Sequence, residues 1–392
     1  MTLSRAVLTA AATLWCLVSP AAAQDVTLTS RDGAIAIAGT LLGYDGRFYR
    51  LDTEYGELTV DGTGVSCDGV GCPSLTDFVA ELRVSGSATV GAVLMPALVE
   101  AFALRNRLTA RRETDDATRF RYTLTARDTG KPVGRFDFHV TTTDEGFADL
   151  LADEADIVMA LREIRPSEAA LAREAGLGDL TRANRSLVLA LDAIVPVVSP
   201  SNPVGSVSLA DLSRILGGDL TNWRELGGPD APVRLHLRDR GSGLSQGLED
   251  RLLLPDGTGI GADARRHGTN AALARAVAGD PFGIGLASYS ELGITKPLVI
   301  AGACGFRLRA ARRTIKAEDY PLTAPMFLYT PARRLPVLAQ DFLAFTRSAP
   351  AQIVIRRAGF VDQAPEEVPV DLQGDRLANA ILVTDDDAAL AM

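Results

Sequence analysis

The chain has 392 residues, of which 47% are apolar and 23% charged, with a formal net charge of −9 and a pI near 5.0. That length asks for two or three domains and allows a large buried core, with no metal or disulfide staple needed for folding. The acidic balance argues against a nucleic-acid partner, which needs a basic patch, and leaves an anion to be held by local dipoles and a few cations.

The N-terminus reads as an export signal over residues 1–23. Arg5 is a short positive region, Ala6 to Val18 an apolar run, and Pro20 precedes Ala21-Ala22-Ala23 before Gln24. Cys16 follows Trp15, where a lipidation site wants a small residue, and the apolar run is too short for a permanent span. A periplasmic protein is expected.

Residues 24–78 read as a small all-β module. Val26–Thr29 and Ala34–Ile37 flank an Arg31-Asp32-Gly33 turn, and Asp45-Gly46 and Gly56 punctuate further short strands ending at Val60. The segment carries no chemistry and reads as an interaction or spacer module. Cys67-Asp-Gly-Val-Gly-Cys72 is short and glycine-rich; in an oxidising compartment the first reading is a Cys67–Cys72 disulfide. Zinc would need two more ligands nearby. Cys304 is then a buried free thiol, with pairing to Cys67 or Cys72 as the other reading.

From about Leu82 strands and helices alternate, the pattern of an α/β fold. Strands are expected at Leu82–Val84, Arg119–Thr125, Arg135–Val140, Ser186–Val198, Pro232–Leu237, Gly283–Ala287 and Pro325–Thr330. Helices are expected at Val93–Arg105, Gly146–Ala152, Ser245–Leu254, Ala271–Ala278 and Val337–Ile355, and Ser208 to Asp211 reads as a capping box. Residues 362–392, rich in proline and acid, read as a flexible tail.

Two loops share one design. Ser85-Gly-Ser-Ala-Thr89 and Gly241-Ser-Gly-Leu244 each follow a strand and open a helix, so backbone N–H groups and hydroxyls sit at a positive helix start, suited to an anion. Thr141-Thr142-Thr143 adds hydroxyls at a third helix start, where plain capping is the competing reading. Arg162 and Arg238 are the candidate cations, since guanidinium forks fit oxyanions; each could equally be an ordinary salt-bridge arginine. Gly243-Leu-Ser-Gln-Gly247 fits a G-x-S-x-G nucleophile elbow, but His267 follows it too closely for that layout, and no enzymatic activity is expected. His139, His236 and His267 are scattered along the sequence, so neither a metal nor another cofactor is expected.

Taken together, Leu82-Arg-Val-Ser-Gly-Ser-Ala-Thr-Val-Gly, Ala155-Asp-Ile-Val-Met-Ala, Gly218-Asp-Leu-Thr-Asn-Trp, Arg238-Asp-Arg-Gly-Ser-Gly, Gly283-Ile-Gly, Tyr320-Pro-Leu and Phe342-Leu-Ala-Phe…Ala358-Gly-Phe occur in the order found in phosphate-binding proteins of ABC transporters, and residues 80–361 resemble that family. The resemblance implies an α/β, two-lobed type II periplasmic-binding-protein fold, with lobe 1 at 79–190 plus 325–361, lobe 2 at 191–324, and crossovers near Leu187–Val198 and Leu322–Tyr329. It implies phosphate or a similar oxyanion as ligand, held by Ala88, Thr89, Val90, Thr143, Arg238, Ser242 and Gly243 with Arg162 nearby, a monomer, and the permease of an ABC transporter as partner. Two positions depart from the pattern: Leu244 stands for the usual threonine, and Leu161 for an Asp or Ser that would accept the ligand's proton, a role Asp239 or Asp137 would have to take. Some relatives continue into an OmpA-like domain after a tail resembling Leu372–Ile381, so a non-transport role at the cell envelope, with contact through the β module, is the alternative.

Overall fold

The computed structural model describes residues 25–365, apart from 76, 117, 254–258, 262 and 303–306. The expected signal segment, Cys304 and most of the acidic tail lie outside the described residues. The chain forms two compact units that part between residues 76 and 77.

The first unit is a five-stranded antiparallel sheet of β1 (Asp25–Ser30), β2 (Ala36–Tyr44), β3 (Phe48–Thr53), β4 (Gly56–Asp61) and β5 (Val65–Asp68), in the order β4-β3-β2-β1-β5. Alternation puts Val26, Leu28, Tyr49 and Leu51 on one face, where they form its core. The chain then makes a 3-10 turn at Gly62–Gly64, capped by Asp61, and β5 returns to pair with β1. Cys67, on β5, is bonded to Cys72.

The second unit opens with β6 (Ala80–Ser87), a π-turn at Val90–Leu94 and helix α1 (Met95–Arg105). Next come β7 (Leu108–Thr114), β8 (Arg119–Ala126), β9 (Pro132–Thr141), α2 (Thr143–Leu151), β10 (Ile157–Ala160), α3 (Pro166–Glu174) and the 13-residue β11 (Ser186–Val198). There follow β12 (Ser206–Ser208), α4 (Leu209–Gly217), β13 (Arg234–Arg238), α5 (Gly243–Leu248) with a π-turn at Glu249–Leu253, β14 (Arg265–His267), α6 (Asn270–Ala278) and β15 (Gly283–Ser288). Short strands β16 (Lys296–Pro297), β17 (Val299–Ala301) and β18 (Arg307–Leu308), helix α7 (Arg312–Lys316), β19 (Thr323–Tyr329), α8 (Val337–Thr346) and α9 (Ala349–Arg357) complete it. Among the described residues no helix is long and apolar enough to cross a membrane.

One sheet runs through this unit in the order β14-β13-β15-β11-β19-β10-β6-β9-β8-β7. Three core clusters pack against it. Residues between Leu191 and Ala324, with Val361, make one, in the half we call lobe 2; residues between Leu82 and Ala190 with Met326 to Phe360, and a smaller cluster of Phe147, Leu150, Val158, Leu180, Phe327 and Tyr329, make the two of lobe 1. Strands β11 and β19 pair antiparallel from Ser186↔Tyr329 to Ala193↔Thr323 and belong to both halves, so each lobe is tied to the other by two adjacent strands. Both are mostly apolar and almost wholly buried, as a central strand requires.

Three departures from the sequence expectation have plain causes. The single helix expected over Val337–Ile355 is two, because Pro350 cannot continue a helix and instead sits in the first turn of α9. The helix expected from Ser245 starts at Gly243, because the Ser242 side chain accepts from the Ser245 N–H and caps it. At the start of the expected flexible tail, Asp362 is fully buried and paired with Arg312, Lys316 and Arg356, so the fold holds the chain past Val361.

Candidate functional site: the cleft between the lobes

The lobe 1 wall is built at the C-terminal ends of β6, β9 and β10. Gly86 has φ +122°, and a side-chain carbon there would lie 2.3 Å from the Met159 carbonyl oxygen, so only glycine lets β6 run this close to β10. Ser87 then ends the strand with its hydroxyl buried and without a hydrogen-bond partner among the described residues. Of the following residues, Ala88 is exposed, Thr89 half-buried, and Val90 packed into the lobe 1 core. The N-terminus of α2 lies beside this loop, with Gly146 packed on Gly86. Thr142 caps α2 by accepting from the Glu145 N–H, and the buried Thr143 hydroxyl accepts from the Leu161 N–H at 3.2 Å.

The lobe 2 wall is the end of β13 and the start of α5. Ser242 is the cap of α5 and Gly243 its first residue, as the small-residue loop predicts. Ser245 is buried and its hydroxyl donates to the Arg238 carbonyl at 3.0 Å. That accounts for the G-x-S-x-G pattern as a helix turn with a spent hydroxyl, not an exposed nucleophile.

The two walls meet directly. Gln246 Nε2 donates to Asp144 Oδ2 at 2.8 Å across the lobes. Leu161 lies flat on Gly243, where an added side-chain carbon would stand 2.8–3.1 Å from three Leu161 atoms. Gly241 similarly faces Thr142. Thr143, Ser242 and Gly243 therefore lie where the lobes touch.

Neither candidate arginine presents a free fork. Arg162 is 3% exposed and takes Glu168 with two nitrogens at 2.7 and 2.8 Å, while also donating to Asp144 and to the Glu163 carbonyl. Desolvation works against its charge, yet the hydrogen bonds it donates to Glu168 and Asp144 outweigh it, and its pKa lies above the ordinary value. Arg238 donates to the His267 and Gly268 carbonyls and to Asn270 Oδ1, all within lobe 2; burial holds its pKa below the ordinary value. The two acids named as substitute acceptors sit differently. Asp137 pairs with Arg121 along β8 and β9, and Asp239 opens the turn whose carbonyl accepts from Ser242 N–H.

Asp144 and Gln246 escaped the sequence reading. Asp144 follows Thr143 in the first turn of α2, where an acid ordinarily serves only the helix dipole, and nothing local says that Gln246, 102 residues later, reaches it. The histidines are also less scattered than their sequence positions suggest. His236 Nδ1 and His267 Nε2 are 3.1 Å apart with stacked rings, and His236 Nε2 faces Asp280 at 3.3 Å; His139 faces Asp149, which also accepts from Ser85.

A model of the PBP superfamily domain matches residues 113–350, well over half of the chain. The chain belongs to that superfamily. This PBP-superfamily chain is 29% identical over 201 residues to protein SphX of Synechococcus elongatus, a match covering 48% of this chain and 58% of that one. It is 25% identical over 191 residues to the phosphate-binding protein PstS of Borreliella burgdorferi, covering 47% and 67%. The chain thus spans rather more than half the length of these curated relatives. Its fold is similar to an ABC-type phosphate transport receptor from Vibrio cholerae, with a TM-score of 0.54 at 20% identity over 71% of this chain and 99% of that one.

Proposed function

We propose that this chain is a periplasmic solute-binding protein that captures a small oxyanion, phosphate in the first place, between its two lobes for the permease of an ABC transporter. The observation that carries the reading is the face-to-face meeting of the α2 start, Thr142 to Asp144, with the α5 start, Ser242 to Gln246. Helix starts offer backbone N–H groups and positive dipole ends, and Thr143 and Ser242 add hydroxyls. Similarity to a protein named phosphate-binding supports the choice of anion. Ala88, Thr89 and Val90 contribute main-chain donors in this reading, and Arg238 contributes charge from behind the α5 loop.

Capture works by a hinge. The paired β11 and β19 let the lobes part, an anion enters against both helix starts, and closure restores the contact with the anion enclosed, a population shift of an existing equilibrium. Leu161 and Gly243 must separate for entry. Residues 1–23 direct export, and the first unit serves contact with the cell envelope.

Thermal unfolding in phosphate-free buffer tests the reading. Phosphate at 100 times its dissociation constant adds about 2.7 kcal/mol of stability and raises the midpoint by a few degrees. An unchanged midpoint with phosphate, sulfate and other small anions alike contradicts it.

A further inference from the structure

We propose that the segment Gly359–Asp362 is a third strap across the hinge, and that the ion cluster on Asp362 holds the two lobes in their closed arrangement. The proposal rests on the hinge opening stated above and names an element outside the cleft that biases it.

The boundary between the lobes cuts the chain at three places. Ala190 belongs to a lobe 1 core and Leu191 to that of lobe 2; Met326 and Ala324 divide in the same way, and so do Phe360 and Val361. The three crossings lie side by side. Leu191 stands opposite Pro325 on β19, and it exchanges both backbone hydrogen bonds with Val361, each at 2.8 Å. Gly359, with φ +92°, follows the end of α9 and turns the chain into this row, a backbone state that favours glycine.

The third crossing grips lobe 2 with two residues. Gln363 already turns back: its N–H donates to Gln352 Oε1 on α9 at 2.7 Å, and its side-chain amide to the Val188 carbonyl at 3.1 Å. The grip therefore lies with Val361, buried in the lobe 2 core, and with the Asp362 carboxylate, which is 0% exposed. That carboxylate meets Arg312 and Lys316 on α7, whose Ile315 packs in the lobe 2 core, and Arg356 on α9, whose Ile355 packs in lobe 1. A buried charge is tolerated only with such partners, and removing them leaves it uncompensated. Because the cations come from both lobes, rotation about the hinge draws one set away from the carboxylate. All three reach it in the arrangement in which Gln246 meets Asp144 and Leu161 covers Gly243, so the cluster favours closure.

The test is amide hydrogen exchange of the full chain in anion-free buffer, read by mass spectrometry over the seam at residues 142–146, 158–162 and 241–246. The proteins compared are the native chain, Arg356→Gln, Asp362→Asn and, as control, Arg357→Gln at the neighbouring exposed arginine. The Arg356 side chain is 48% exposed, and its loss leaves Asp362 with both lobe 2 cations, so the strap stays docked while the link between the lobes is cut. Seam exchange is expected to quicken about threefold or more in Arg356→Gln and about tenfold or more in Asp362→Asn, with β6 and β13 unchanged and the control at the native rate. If Asp362→Asn quickens β6 and β13 as well, it is read as unfolding and Arg356→Gln decides. A native seam rate in Arg356→Gln overturns the proposal. Titration of inorganic phosphate separates the strap from the reading it rests on. Binding weakened by about the same factor as the seam is loosened supports both. A quickened seam in a protein that binds no phosphate keeps the strap and overturns anion capture, and a quickened seam with unchanged affinity overturns capture by closure.

Discussion

Gln246 donates its side-chain amide to the Asp144 carboxylate at 2.8 Å, joining the first turn of α5 in one lobe to the first turn of α2 in the other. Beside that bond Leu161 covers Gly243. A polar bridge and an apolar contact thus close the same seam, and both must open for anything to enter.

The Leu161–Gly243 contact makes the first prediction. A methyl group at Gly243 meets Leu161 Cδ1 and Cβ at 2.8 and 2.9 Å, and Cβ has no freedom to move away. Gly243→Ala should cost about 1–3 kcal/mol in urea unfolding and weaken phosphate binding about tenfold or more. Leu161→Ala in the same chain removes the Cδ1 and Cγ contacts but keeps Cβ, so it should restore part of the stability, giving a coupling energy above additivity. Additive losses would place the two residues out of contact.

Arg162 is expected to matter for folding more than for charge recognition. It is nearly fully buried against Glu168 and Asp144. Arg162→Met strands the mostly buried Glu168 carboxylate, a loss of about 3 kcal/mol in urea unfolding. Arg162→Lys should recover only part of it, since an ammonium cannot meet both Glu168 oxygens as a planar fork does.

The paired histidines predict a pH dependence. Desolvation holds His236 and His267 below the ordinary imidazole value of 6.5; Asp280 opposes this at His236, while Arg234 and Arg265 reinforce it there, and His267 feels His236, Arg238 and Arg265 against Asp239. A depressed value means that the unfolded chain takes up these protons first. Stability is therefore full above about pH 6.5 and falls as pH drops through that value toward the lowered ones. His267→Phe keeps a stacked ring and removes one titration. It should flatten the fall of the melting midpoint between about pH 7 and 5, and an unaltered slope would contradict the assignment.

Asp192 sits on β11, in the stretch paired with β19, and is buried among the Ala193 and Ser290 N–H groups and the Ser288 hydroxyl. Burial raises its pKa, only partly opposed by those bonds. With the folded value above the unfolded one, its contribution is full at acid pH and is lost as pH rises through the folded value. Asp192→Asn keeps an acceptor for both N–H groups and removes the charge. The variant should melt a few degrees higher at neutral pH, the gain vanishing in acid.

The legible parts of the fold were those written in local pattern. Alternation gave β1, β3 and β4, and small residues before a helix gave the α5 loop. Strand β5 was missed because Val65–Asp68 is short and its partner, β1, lies far back in the chain, with Thr27 paired to Asp68. Thr143, Ser242 and Gly243 were legible as helix starts. The Asp144–Gln246 bond was not, because it depends on how two separately folded lobes meet. The His236–His267 pair needed the parallel register of β13 and β14, which sets Arg238 opposite His267. Arg162 and Arg238 were legible as candidate cations with the salt-bridge reading alongside, but their partners were not, since Glu168 sits in the first turn of α3 and Asn270 opens α6, where nothing local points to an arginine.

Isothermal titration of phosphate into the full chain, first freed of bound anion by unfolding and refolding, tests the central claim most directly. The account predicts saturable binding at one phosphate per chain, weakened about tenfold or more by Gly243→Ala. No saturable heat, or binding that Gly243→Ala leaves unchanged in a folded protein, would contradict a phosphate site between the lobes.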